Sequence, residues 1–332
     1  MKKSFATLVD RYALAKFHLK RSKEDQFYLN IDEIKHITSN SESYFKPTAI
    51  SKVELINQKK DKNYINGTLR FENEIESEDG SKYFSVDYRK NDKVKDNHSV
   101  ILIHGWRSRD FKSLDSMLLN KLKREGLDVY YYTLPFHMNR TPEASLYSGE
   151  FMVSANVNRT IKAFAQAVGE VRALISYIKN NSGGKVFLVG MSLGGFVGNL
   201  TAVKEENIDG LVSIFYANDL SFTIFETIPG KYIKEDFLKN GLTKDQLSEY
   251  WQIINPSLHE PLISRDRIVL LTANYDQYIF YKDAEVLWNN WGRPTRRKLY
   301  DCGHSGIILS RRSLGKEVTN QIKNIVRGDR GV

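Results

Sequence analysis

The sequence has a single cysteine, Cys302. No intramolecular disulfide framework can be built from it, and nothing in the thiol content points to an oxidising compartment. No apolar run approaches the roughly 18 residues that a membrane span needs. The first residues carry Lys2 and Lys3, but Asp10 and Arg11 cut the apolar stretch that follows. That stretch is too short for the apolar region of a signal peptide, so a cytoplasmic location is expected. No group of histidines, cysteines and carboxylates has the spacing of a structural metal site, and no metal or organic cofactor is expected. The formal charge is +9, yet lysines and acidic residues are interleaved throughout. This reads as a solvated surface, and no nucleic-acid module accompanies it, so no nucleic-acid partner is expected. There is no internal repeat and no low-complexity tract.

The most informative feature present is Gly190, Met191, Ser192, Leu193, Gly194, Gly195. An apolar run, residues 185–189, precedes it, and a helical pattern, residues 196–204, follows. That is strand, sharp turn and helix with a serine at the apex. A serine on so tight a turn leaves little room for Cβ atoms two residues away on either side. Gly190 and Gly194 supply that room, and Gly195 lets the helix approach the strand. The turn pushes the hydroxyl out above the sheet, where a base can reach it.

A serine hydroxyl needs a base, an acid to orient that base, and donors for the developing oxyanion. In one arrangement of the serine triad the chain order is Ser, then Asp or Glu, then His. Residues 267–273 read as a short buried strand, and Asp276 follows in the loop at its carboxyl end. An aspartate there also serves as a helix cap. Asp219, after the strand at residues 211–216, is the other carboxylate at this edge, and Asp276, after the later strand, is the expected acid. Residues 297–301 read as the next strand, followed by Cys302, Gly303 and His304. Of the seven histidines, His304 alone lies beyond the proposed acid strand. It is the expected base. Cys302 lacks an elbow and reads as a small buried residue. Another buried strand, residues 99–103, runs into His104, Gly105 and Trp106. The backbone N–H groups of Trp106 and Leu193 are the expected oxyanion donors. His104 reads as a brace for its loop.

Taken together, these residues resemble the α/β-hydrolase superfamily of serine hydrolases. The resemblance rests on His104-Gly105-Trp106, on Gly190 to Gly195, on Asp276 and on Gly303-His304. It covers the chain from about Lys95 onward. Residues 134–142 and 147–150 are also similar to a poorly characterised hydrolase subgroup. The superfamily implies a mostly parallel twisted sheet with helices on both faces. It implies acyl-transfer chemistry without selecting among esterase, lipase, thioesterase and peptidase.

The remaining chain fits one large α/β domain with additions. Residues 1–97 read as an N-terminal helix from about Phe5 to Lys20, followed by antiparallel edge strands near residues 68–72 and 83–88. Phe5, Leu8, Val9, Tyr12, Ala13 and Phe17 fall near one face of that helix, with basic residues on part of the rest. Packing on its own domain is the expectation, with the alternative that it lies on an anionic membrane. Residues 98–219 and 265–332 form the core, in which strands alternate with helices. Residues 220–264 interrupt the alternation with helical patterns and read as a cap. Its aromatics, Phe225 and Trp251 among them, either line an apolar acyl pocket or fill the insert's own core. His137 and Arg140 follow a strand's carboxyl end. Arg140 either pairs with an anionic group of the substrate or ties the structure together.

The chain therefore reads as a serine hydrolase that cleaves a small-molecule carboxylic ester through an acyl-enzyme. The rivals on the same triad are thioester or peptide hydrolysis and acyl transfer. The rival from another class is a silent binding protein on this scaffold, which would be expected to have lost a triad member.

Overall fold

The computed structural model describes residues 2–19, 26–74 and 77–328. Among these, the strands form one nine-stranded sheet. The strands are β1 (Ile50–Asp61), β2 (Tyr64–Asn73), β3 (Tyr83–Asn91), β4 (Ser99–Ile103), β5 (Asp128–Tyr132), β6 (Val186–Met191), β7 (Gly210–Ile214), β8 (Ile268–Ala273) and β9 (Arg296–Tyr300). Their order in space is β1-β2-β3-β5-β4-β6-β7-β8-β9. β1 to β3 are antiparallel hairpin neighbours, and β3 joins β5 antiparallel. From β5 across to β9 every pairing is parallel.

The parallel strands inside the sheet, β4 to β8, read as near-continuous apolar runs because both faces are covered, whereas the edge strand β9 carries Arg296, Arg297 and Lys298. In β4, Ile101 and Ile103 point into one core, and Val100 and Leu102 into the other. β5 divides its tyrosines the same way, Tyr130 and Tyr132 against Tyr131. Helix Val157–Asn181 and helix Leu193–Lys204 bury apolar faces in the first core. Helix Ile307–Arg327 buries Leu314, Val318, Ile322 and Ile325 in the second. Two apolar layers around one sheet give the three-layer architecture implied by the alternation of strands and helices.

The strand order decides where a site can form. The chain leaves β4 for β5 on one side, then crosses back to place β6 on the other. Loops leaving β4 and β6 therefore diverge, and a crevice opens between them at their carboxyl ends. Gly105 and Trp106 leave β4 there, and Ser192 leaves β6.

Three features differ from the sequence reading. β1 is a full strand of 12 residues, although it shows no apolar alternation. Its side chains are mostly exposed, and its register comes from backbone pairing with β2. A short helix, Ile31–Ser39, precedes it and buries Ile34 and Ile37. The N-terminal helix, Lys3–Phe17, packs on the domain, but through Ala6, Asp10 and Leu14. Three apolar residues of the expected face, Phe5, Leu8 and Tyr12, are 52%, 65% and 63% exposed. The buried seam carries the Asp10 carboxylate between the apolar Ala6 and Leu14. Lys20 lies outside the described residues. Among those residues, no helix is long and apolar enough to cross a membrane.

The segment at residues 220–264 forms helices Leu220–Glu226, Lys231–Lys239 and Lys244–Tyr250, with 3-10 turns between and after them. Thr243 and Gln246 close a reciprocal capping box at the last of these helices.

Candidate active site

Ser192 sits at φ 56° and ψ −117°, between β6 and helix Leu193–Lys204. An L-residue is strained there, at a cost of about 1–3 kcal/mol. The surroundings over-determine the conformation. The Ser192 N–H donates to Ile214 O at 2.8 Å, and its carbonyl accepts from Phe196 N–H at 3.1 Å. A Cβ on Gly190 would lie 2.2 Å from Gly194 O, and one on Gly194 would lie 2.2 Å from Ile103 O. Neither contact is possible, so both positions require glycine. Gly195 plays a milder part, bringing the helix against Tyr216, whose Cβ would be 2.8 Å from an added Cβ.

The β4 loop comes up beside the serine. An ideal Cβ on Gly105 would lie 3.3 Å from Ser192 Cβ and 3.8 Å from Oγ. His104 fixes this loop. Its Nδ1–H donates to Gly105 O at 2.8 Å, and its Nε2 accepts from Leu134 N–H at 3.1 Å. Burial holds its pKa down to about 4, so the ring stays neutral and keeps both bonds. The Trp106 indole N–H donates to Gly149 O at 2.7 Å, and the Ser148 hydroxyl donates to Ser108 O at 2.6 Å. The long connection after β5 is thus what pins the loop after β4.

The His304 Nδ1–H donates to Asp276 Oδ2 at 2.7 Å. This leaves Nε2 as the nitrogen able to accept a proton. The other oxygen of Asp276 accepts from Tyr278 N–H at 2.7 Å and Ile279 N–H at 2.8 Å. Burial pushes the Asp276 carboxyl up, against the opposing pull of His304 and the Ile279 N–H. Burial also works to lower His304, but the charge and hydrogen bond of Asp276, with Asp10 added, outweigh it and raise the imidazole. Tyr278 stacks on the His304 ring with centroids 4.6 Å apart and planes 22° apart. Asp219 is elsewhere. It caps helix Leu220–Glu226, accepting from Phe222 N–H at 3.1 Å and from the Ser221 hydroxyl at 2.6 Å.

Ser192 and His304 line one cavity of about 280 Å³. Gly105, Trp106 and Leu193 line it too, so the loop after β4 and the first residue of helix Leu193–Lys204 meet there. Its apolar wall includes Val153, Ile279 and, from the segment at residues 220–264, Leu220 and Ile224.

Four expected binding residues lie away from this cavity. The Arg140 guanidinium is occupied by carboxylates. It meets Glu170 at 2.7 and 2.8 Å, Asp79 at 2.6 Å and Thr133 O at 3.1 Å. Tyr132 and Gln166 also donate to Glu170, at 2.7 and 2.8 Å. Arg140 is therefore a structural tie that joins the β2–β3 turn to helix Val157–Asn181. Breaking such a buried pair on one side costs about 3–5 kcal/mol, because the other charge is stranded. His137 is buried beside His104, with ring centroids 4.9 Å apart, and its Nδ1–H donates to Pro135 O at 2.8 Å. It shapes the connection after β5. Phe225 stacks on Phe237, and Trp251 packs on the same ring while its indole N–H donates to Val157 O at 3.2 Å. These aromatics fill the core under the helical segment, and the smaller Leu220 and Ile224 face the cavity. Tyr278 and Asp10 are the neighbours of His304 that the sequence reading missed. Tyr278 lies two residues past Asp276, but no sequence signal marked its ring as a neighbour of His304.

Comparisons with known proteins agree with this architecture. The chain is 50% identical over 113 residues to the uncharacterised protein YdjC of Bacillus subtilis (strain 168), a match that spans 34% of the chain and 97% of that protein. Acetyl xylan esterase 1 from Thermoanaerobacterium sp. JW/SL YS485 superposes with a TM-score of 0.64 at 14% identity, over 89% of this chain and 94% of that one. The acetyl xylan esterase from Paenibacillus sp. R4 gives 0.63 at 14% identity, over 94% and 98%. At such identities the likeness is one of fold. Residues 100–311 match the alpha/beta hydrolase family, with β4 from Val100 on, the elbow, β8, β9 and His304 inside the matched span, and the chain belongs to that family.

Proposed function

We propose that this hydrolase is a serine esterase acting through Ser192, His304 and Asp276. The observation that carries the reading is one cavity holding a serine on a strained elbow and a histidine whose far nitrogen is bonded to a buried aspartate 2.7 Å away. The comparison with acetyl xylan esterases supports it at the level of the fold.

In this reading His304 Nε2 takes the proton as Ser192 Oγ attacks the ester carbonyl. The N–H groups of Leu193 and Trp106 receive the developing oxyanion. Asp276 keeps the proton on Nδ1 and stabilises the imidazolium that forms. The tetrahedral species collapses, His304 protonates the leaving alcohol, and an acyl-Ser192 ester remains. Water then attacks, again with His304 as base, and releases the acid. Carboxylic esters are the substrates an activated serine cleaves most readily, and a small-molecule ester suits a cavity of about 280 Å³. The acyl-enzyme gives the test. A p-nitrophenyl ester mixed with enzyme should release a burst of p-nitrophenol close to one equivalent per active site, followed by slower turnover. Steady release with no burst in any member of an ester series, and no trapped acyl-protein after acid quench, would contradict the covalent route.

In this reading Ile224, on the apolar wall of the cavity, sets chain-length preference. Ile224→Phe should fill part of the cavity and lower the butyrate-to-acetate rate ratio by about 10-fold or more. Phe225→Ala, one residue away but facing the core, should leave that ratio unchanged while lowering stability. Parallel rates on p-nitrophenyl acetate and butyrate check both. A ratio moved by Phe225→Ala and not by Ile224→Phe would reassign the wall.

A further inference from the structure

One buried carboxylate has no part in the chemistry above. Asp10 is fully buried on the inner seam of helix Lys3–Phe17. Its Oδ2 accepts from the backbone N–H of Gln277 at 3.0 Å and of His304 at 2.9 Å. Its Oδ1 accepts from Ser305 N–H at 2.8 Å. Gly303 makes room for it, since a Cβ there would lie 2.5 Å from Asp10 Oδ2.

We propose that Asp10 is a positioning residue for His304, through which the N-terminal helix clamps the loop of the acid to the loop of the base. The inference rests on the triad reading given above. Asp276 and His304 leave different strands, β8 and β9, and a single 2.7 Å hydrogen bond joins their side chains. Asp10 binds the residue next to the acid and the backbone of the base itself. Three N–H bonds to one charged acceptor are each stronger than a neutral bond and fix both loops at once. The carboxylate also places a second buried negative charge near the imidazole. The groups that bear on His304 are Asp276 from the β8 loop, Asp10 from the N-terminal helix and the stacked Tyr278 phenol. The Cys302 thiol, two residues away, is pushed up to about 11 by burial and stays neutral. Both carboxylates favour the charged imidazolium that forms as Ser192 attacks. Asp10 lies outside residues 100–311, the span matched to the family.

The test uses Asp10→Asn in the full chain, with Gly303→Ala as an independent way to displace the same carboxylate. Misplacing the base should lower kcat on a p-nitrophenyl ester by about 10- to 100-fold with KM little changed. In Asp10→Asn, loss of the negative charge should lower the His304 pKa, so the acid limb of the kcat/KM profile should move to lower pH. NMR titration of the His304 ring should move the same way. A loss of stability alone would shift neither. If the wild type hydrolyses esters, and folded Asp10→Asn or Gly303→Ala keeps its kcat while the titration in Asp10→Asn is unmoved, the clamp is refuted. If the wild type shows no turnover, the esterase reading fails instead. The His304 titration still decides on Asp10, with a downward shift supporting the link and no shift overturning it.

Discussion

Ser192→Ala should lower kcat for ester hydrolysis by about 10⁶-fold, the scale on which removal of the serine collapses a working triad. What remains is the acceleration from binding and oxyanion donors, about 10³- to 10⁴-fold over water. The protein should stay folded and become no less stable. Alanine keeps the Cβ that the elbow already accommodates, and the hydroxyl has no structural bond in the hydrogen-bond pattern that holds the turn, which is made by the backbone of Ser192. Steady-state rates with a thermal melt check both halves. A variant that retains a tenth of the wild-type kcat would remove Ser192 from the mechanism.

The second large effect concerns the acid. Asp276→Asn should lower kcat by about 10⁴-fold. The substituted carbonyl oxygen can still accept from Tyr278 and Ile279, so the loop keeps its shape. Its NH2 then faces His304 Nδ1, which forces the ring proton onto Nε2, where the base needs a lone pair. Asp219→Asn should cost far less, because asparagine caps a helix about as well as aspartate. Comparing kcat for the two variants on one ester gives the ranking directly. Equal losses, or a larger loss at Asp219, would move the acid.

The pattern of what was legible follows from the kind of interaction involved. The elbow could be read because steric exclusion acts over two residues, and glycine is the only side chain that satisfies it. The parallel core could be read because strands covered on both faces carry continuous apolar runs, as in β4 and β8. β1 could not, since a half-exposed edge strand with Lys52, Glu54 and Lys60 has no apolar period, and its place comes from the backbone of β2. Arg140 was ambiguous because a loop arginine has the same local signature whether it meets a ligand or a carboxylate. Glu170 lies 30 residues away, and only the packing of helix Val157–Asn181 brings it near. Asp10 was the deepest omission. Its partners are backbone N–H groups 267 to 295 residues away, and backbone groups leave no mark in a sequence. Asp10 looked like an interruption of an apolar stretch, whereas it forms the seam by which that helix docks. In the helical segment at residues 220–264, the aromatic residues drew attention by size. All four of Phe225, Trp251, Leu220 and Ile224 belong to one buried cluster, and of these Leu220 and Ile224 also line the cavity.

The central claim is that Ser192 is the covalent nucleophile of this hydrolase. Treatment of the full-length protein with a fluorophosphonate, followed by proteolysis and mass spectrometry, tests it most directly. The account predicts one adduct, on Ser192, formed at a rate that falls steeply in His304→Ala. An adduct confined to Ser305 or Cys302, or labelling that ignores His304, would contradict it.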